Sequence, residues 1–255
     1  MQMVVGCCAL LCAASAHAQQ DTVVVAVVRA DSADARAPAI DRGLTLGTEE
    51  ASRTARLFGV AMRFLDADGL ARDSAGARRI PVWIIAGDER RCARVHAALL
   101  GTDATIIDAG CRGTAEPAAT ELRIHPAPGD SIAALSTVRG DSAARVLLWH
   151  LSLERFGADQ LNDRFRRRFS AEMDSDAWAA WAAVKIAAEA CLRARARGAS
   201  PRAVLADSNA AFDAHKGMPL RFDPRSRRLV QPLYVESTAA GATTIREIPP
   251  ATHAP

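Results

Sequence analysis

Three cysteines and four histidines between residues 21 and 250 are the side chains with the most chemistry to offer: Cys92, Cys111 and Cys191, and His96, His125, His150 and His215. The histidines are scattered without metal-ligand spacing, and each reads as a surface or core histidine. No G-x-S-x-G, H-E-x-x-H, C-x-x-C or phosphate-loop pattern is present. The run from Arg164 to Arg168 is the densest cluster of charge. A solvated helix face is its default reading, and a docking surface for an acidic partner is the alternative.

Two serines stand in a nucleophile-like setting. Gly129-Asp-Ser131 and Gly140-Asp-Ser142 resemble the block that carries the nucleophile of Gly-Asp-Ser hydrolases. That block should follow the first strand, and these serines sit mid-chain. Asp213-x-His215 also lacks the Asp-x-x-His spacing of the partner pair. Helix capping by Ser or Asp is the better reading, and Arg139-Gly-Asp141 reads as a turn. The sequence therefore points away from an enzyme.

The elements that would position any site follow a βαβ rhythm. Thr22 to Val28 is a continuous β-branched run, the pattern of a strand buried on both faces of a parallel sheet. Pro38 opens a long helical pattern that Gly59 stops. Strands are expected at Val60–Leu65, Pro81–Ala86, Ala104–Ile107 and Glu121–His125, with a helix over Asp88–Leu100. The stretch 126–145 is a connection with one short helix around Ile132–Val138. Then come a strand at Arg145–His150, a basic helix at Gly157–Phe169, and a helix at Ala177–Arg197. The last should bury a stripe of Trp178, Trp181, Val184, Ala188 and Cys191. A short helix over Pro201–Leu205 precedes a terminal hairpin of Leu220–Phe222 with Leu233–Val235. Residues 246–255 should form a loose tail.

In this arrangement Cys92 lies in the first turn after strand three and Cys111 just past strand four. Both fall at the carboxyl edge of the sheet, so a disulfide is geometrically feasible; two separate thiols are the alternative. Such a bridge would close a loop of about 20 residues, worth roughly 3 kcal/mol in the chain-entropy model. Cys191, on an apolar helical face, reads as core.

The N-terminus and the composition set the compartment and exclude some partners. Met3 to Ala16 is uncharged and mostly apolar, and ends in Ala16-His17-Ala18, an A-x-A cleavage pattern. A run this short suits a signal peptide of residues 1–18 rather than a membrane span. Leu11 before Cys12 fits a lipoprotein anchor poorly, so a periplasmic product without an anchor is expected. Its compartment is oxidising, which favours one cysteine pair and one leftover thiol. The net charge of +3 over 255 residues lacks the concentrated basic stripe of a nucleic-acid surface. Aromatic residues, at 5%, offer no stacking platform, and no cofactor motif occurs.

Several blocks resemble the type I periplasmic-binding family that includes leucine/isoleucine/valine-binding proteins. The opening strand and long helix end in Gly47-Thr-Glu-Glu-Ala51. Ala180-Trp-Ala-Ala-Val-Lys-Ile-Ala-Ala-Glu-Ala190 is similar to that family's late helix. It is followed by Phe212-Asp213, Gly217, Phe222-Asp223 and Pro232-Leu-Tyr-Val235. Trp149-His150, Glu154-Arg-Phe-Gly157, Gln160-Leu-Asn162 and His215-Lys-Gly217 resemble the branch found beside pyrroloquinoline-quinone alcohol dehydrogenase systems. The likeness covers roughly residues 146–236 well and 21–135 weakly.

The resemblance implies an α/β protein with a parallel sheet flanked by helices: a βαβ lobe over 19–140 and a second lobe over 141–245. It implies a small-molecule ligand, an ABC permease as docking partner, and a link to a periplasmic dehydrogenase system. From His125 to Trp149 the chain is too short for the family's first strand–helix units of the second lobe, so that lobe is shortened. The pocket is expected at the carboxyl ends of strands one, three and four, at Asp31, Ser32, Gly87, Asp88, Ala109 and Gly110. Small hydroxyl residues hold the ligand carboxylate after strand three in the family's amino-acid binders. Here that place reads Gly87-Asp-Glu-Arg-Arg91, whose acids would need Arg90 or a ligand cation to balance them. An accessory protein that has lost its cleft and binds a protein partner is the alternative function.

Overall fold

The computed structural model describes residues 21–67, 74–111, 117–138, 143–239 and 242–250. The expected leader (1–18), the second serine block (140–142) and the last five residues lie outside these. The first half of the chain contains β1 (Thr22–Val28), α1 (Ala37–Leu57), β2 (Ala61–Asp66) and the short α2 (Ser74–Ala77). It continues through β3 (Val82–Ile85), α3 (Glu89–Leu99), β4 (Thr105–Asp108), β5 (Glu121–Arg123) and α4 (Pro128–Ser136). The five strands form one wholly parallel sheet in the order β2-β1-β3-β4-β5. As the β-branched run requires, Val25 to Val28 are buried on both faces of the sheet.

The second half contains β6 (Arg145–Leu147), a 3-10 turn at Arg155–Gly157, α5 (Ala158–Phe169), α6 (Ser175–Arg197) and α7 (Pro201–Ala206). It ends in β7 (Arg221–Phe222), β8 (Leu229–Val230), β9 (Leu233–Ala239) and β10 (Ala242–Ile248). This half builds no second parallel sheet among the described residues. Strands β10-β9-β6 form a small antiparallel sheet, and β7 pairs with β8. The long helix α6 instead returns to the first half and packs along α1. Gly43 and Gly47 allow the two backbones to meet: a Cβ on Gly47 would lie 2.9 Å from Val184 Cβ.

The expected stripe on α6 is a wholly buried helix in its first half, with Ala177 to Ala183 at most 1% exposed. It is enclosed by α1 and the sheet on one side and by α7 and the 212–234 segment on the other. Between Ala177 and Ala183 the side chains are only alanine and tryptophan, so this stretch has no polar face that would need water and burial all round is tolerated. The terminal hairpin also differs from expectation. β7 pairs with β8, while β9 turns back into β10, so 246–248 are strand rather than loose tail. The Thr-Thr-Ile run of β10 suits an edge strand.

Candidate functional site

The carboxyl edge of the five-stranded sheet is filled by the chain's own arginines. Arg91, in the first turn of α3, donates Nη1 to the Arg29 carbonyl at 2.9 Å. Its Nη2 lies 3.1 Å from Asp31 Oδ2 and its Nε 3.7 Å from Asp88 Oδ2. Arg36, just before α1, donates Nη1 to the Gly110 carbonyl at 2.9 Å and meets Asp34 at 2.6 Å and Asp176 at 3.9 Å. The backbone N–H of Ala33 and then the Arg91 charge hold the Asp31 carboxyl below its ordinary range.

This arrangement sorts the six nominated residues. Asp31, Gly87, Asp88 and Gly110 converge, but on Arg91, Arg36 and each other's loops. Asp88 caps α3 by accepting the Arg91 N–H at 2.9 Å. Gly87 and Gly110 serve close packing, since a Cβ would lie 3.1 Å from Arg91 Cβ and 2.7 Å from the Ala86 carbonyl carbon respectively. Ser32 is exposed and bonds Asp31. Ala109 is fully buried, and its carbonyl meets His125 Nε2 at 2.9 Å. The counter-ion for the acids is Arg91, whereas Arg90 is exposed; a helix places residue 91, not 90, on the side facing β1.

Beneath the edge lies a buried charge cluster that sequence reasoning missed. Asp108 Oδ1 accepts the N–H groups of Gly110 and Cys111 at 3.0 and 2.7 Å. Arg123 Nε stands 3.4 Å from Asp108 and 2.6 Å from Glu121, and His96 lies 3.6 Å from Glu121. Burial pushes the Asp108 carboxyl up to about 7, against the pull of the two N–H donors. The available signal was Asp108-Ala-Gly-Cys111, an aspartate able to close a turn on its own backbone. Cys111 is bridged to Cys92 with their Cα atoms 6.2 Å apart, tying the first turn of α3 to the chain just past β4.

A cleft of about 290 Å³ separates this edge from the small antiparallel sheet. His125, Ser131, Val146, Ser175, Asp176 and Arg228 line it. Arg228 is buried and donates Nη1 to the carbonyls of His125 and Pro126 at 3.2 and 3.1 Å. The α6 N-terminus points into the cleft wall. Asp174 caps it at 2.8 Å, and Ser175 Oγ accepts the Leu148 and Trp149 N–H groups.

Ser131 borders this cleft, but Asp213 and His215 are elsewhere. Asp213 accepts the His215 N–H, and the imidazole stacks on Trp181 at 5.6 Å. The pieces of a Gly-Asp-Ser hydrolase are thus not brought together among the described residues. No group of His, Cys, Asp and Glu there could hold a metal ion. No helix among them is long and apolar enough to cross a membrane. Three of the four α5 arginines are ion-paired: Arg164 meets Glu50 at 2.8 Å, Arg168 meets Glu49 at 2.9 Å, and Arg166 meets Glu172 at 2.8 Å, while Arg167 is exposed.

A five-stranded parallel sheet, its late helix returning to α1, and a cleft at the carboxyl edge define the type I periplasmic-binding fold, here in a shortened form. An ABC transporter substrate-binding protein from Desulfitobacterium hafniense, in complex with Leu, superposes with a TM-score of 0.69 at 11% identity, covering 89% of this chain and 100% of that one. The closed leucine-, isoleucine-, valine-, threonine- and alanine-binding protein from Brucella ovis gives 0.67 at 9% identity, over 89% and 94% of the two chains. The branched-chain amino acid transporter substrate-binding protein LivJ from Streptococcus pneumoniae, with isoleucine, gives 0.63 at 12%, over 90% and 100%. No protein-family model and no curated protein matches the chain.

Proposed function

We propose that this chain is an exported, non-enzymatic solute-binding component of an ABC-type uptake system, released to the periplasm by removal of residues 1–18. The observation that carries the reading is the cleft between the carboxyl edge and the β6–β9–β10 sheet, with polar groups from both sides. Its volume of about 290 Å³ is at the lower end for ligand sites, so the ligand is a small organic solute. The solved structures of like fold, two of them holding Leu or isoleucine, support a binding role. In this reading His125, Ser131, Asp176 and Arg228, which line the cleft, face the solute, while the expected Asp31, Gly87, Asp88 and Gly110 shape the edge beside it. The motif blocks of residues 149–162 and 215–217 support a place beside a pyrroloquinoline-quinone dehydrogenase system.

A second reading has its own observation. Arg36 and Arg91 already satisfy the acids of the edge, as expected of an accessory protein that no longer closes on a ligand. A thermal-shift screen of amino acids, short alcohols, aldehydes and carboxylates separates the two. A ligand at 100 times its Kd adds about 2.7 kcal/mol, a shift of several degrees. Loss of that shift in Arg228→Ala assigns the cleft, and a well-folded protein that shifts with nothing favours the accessory reading.

A further inference from the structure

A groove of about 830 Å³, larger than the cleft, lies between α1 and α6, on the helical face of the sheet and away from the carboxyl edge. The two helices run parallel and touch through Gly43 and Gly47. Beyond Gly47, small side chains such as Ala51 and Ala188 on the facing stripes leave space between the two helices. Ala51, Val60, Trp181, Ala188 and Leu192 give the groove an apolar lining.

Charge identifies the occupant. Glu50 is already bound by Arg164 Nε at 2.8 Å and Trp181 Nε1 at 2.9 Å. Arg195 at the open end is held by Asp21. Lys185 and Arg193 share one carboxylate, Glu189: Arg193 binds it directly and Lys185 Nζ stands 4.0 Å away. Two cations on one carboxylate leave one positive charge beside an apolar groove. From Gly47 to Phe58 the α1 wall runs about 16 Å at 1.5 Å per residue. We propose that this groove is a second ligand site that takes an amphipathic monocarboxylate, with its unbranched chain along the groove and its carboxylate on Lys185. The site is independent of the solute cleft.

Sodium dodecanoate is the probe, dodecanol its uncharged control, and calorimetry on the purified protein the measurement. Dodecanoate should bind one per chain and saturate below its micelle threshold, and dodecanol should bind about tenfold more weakly. Lys185→Gln should erase that difference by weakening dodecanoate alone. Thr54→Phe, a change at an exposed wall residue that should leave the melting temperature unchanged, should block both. Dodecanoate brominated beside its carboxylate, at the Lys185 end where Trp181 lines the groove, should quench tryptophan fluorescence in the native protein and not in Thr54→Phe. The proposal is overturned by absence of saturable binding, by binding that neither variant alters, or by a dimer in sedimentation whose groove dodecanoate cannot enter.

Discussion

Gly43 of α1 lies against the carbonyl of Ala177 in α6 so closely that a Cβ at 43 would stand 2.1 Å from that oxygen and 2.8 Å from its carbon. The contact is backbone on both sides, so no side chain can swing away to relieve it. This meeting point docks α6, and with it the cleft wall at Ser175 and Asp176, onto the sheet. Gly43→Ala is expected to lower stability by about 3 kcal/mol, the upper part of the overpacking range, despite alanine's better helix propensity. Gly129→Ala in α4, where a Cβ would meet nothing within 4 Å, is the control and should be neutral. Urea unfolding of both variants checks the pair; equal stability would mean that α1 and α6 are not in contact at Gly43.

The bridge between Cys92 and Cys111 spans 19 residues of sequence. Replacing both by serine is expected to cost about 3 kcal/mol, because the unfolded chain regains the entropy that the closed loop denied it. Thiol counting gives an independent check. Burial pushes the Cys191 thiol up to about 12, so it should not react in the native protein at pH 8. In denaturant the chain should show one reactive thiol if the leader has been removed, and four if Cys7, Cys8 and Cys12 remain.

Asp108 makes stability pH-dependent. Its carboxyl is raised from 3.8 to about 7 in the folded protein, so between those values the native state holds a proton that the unfolded state has lost. The stability this group contributes is therefore full below about 4 and is lost as pH rises through about 7. The slope can reach about 1.4 kcal/mol per pH unit. Asp108→Asn keeps an oxygen to accept the Gly110 and Cys111 N–H groups but cannot titrate. Its unfolding midpoint should vary less with pH than that of the native protein over this window; parallel profiles would assign the slope to other groups.

Where one periodicity dominates, the sequence can be read directly. The valine run of β1 and the proline start and glycine stop of α1 each announce themselves, and the βαβ order follows. The second half is harder because its elements are defined by long-range contacts. β8 has two residues and exists only because β7 lies beside it, and β10 is an exposed, threonine-rich strand that reads as tail until β9 is placed. The site shows the same division. The carboxyl edge was foreseeable from topology, yet which arginine turns inward depends on helix phase, and Arg91 rather than Arg90 faces Asp31. Arg228, 103 residues from His125 in sequence, enters the cleft through a pairing that no local pattern encodes.

Lys216 distinguishes packing from charge in the link between α6 and the small sheet. It is 3% exposed, donates Nζ to the Pro232 carbonyl at 3.0 Å, and lies over the rings of Trp178 at 4.1 Å and Tyr234 at 5.2 Å. Burial pushes its amine well below the usual lysine range, with Glu247 pulling the other way. The folded state thus disfavours the charged form. The stability Lys216 contributes is present above the unfolded value of 10.5 and falls as pH drops through the folded value. Methionine fills the same slot without an ionisable group, so Lys216→Met should stay within about 1.5 kcal/mol of the native protein. Its relative stability should improve as the solution is acidified. Lys216→Ala leaves a cavity between two aromatic rings and should cost about 2–4 kcal/mol. If methionine proves as damaging as alanine, the hydrogen bond to Pro232 and the cation over Trp178 hold the link, and the side-chain volume does not.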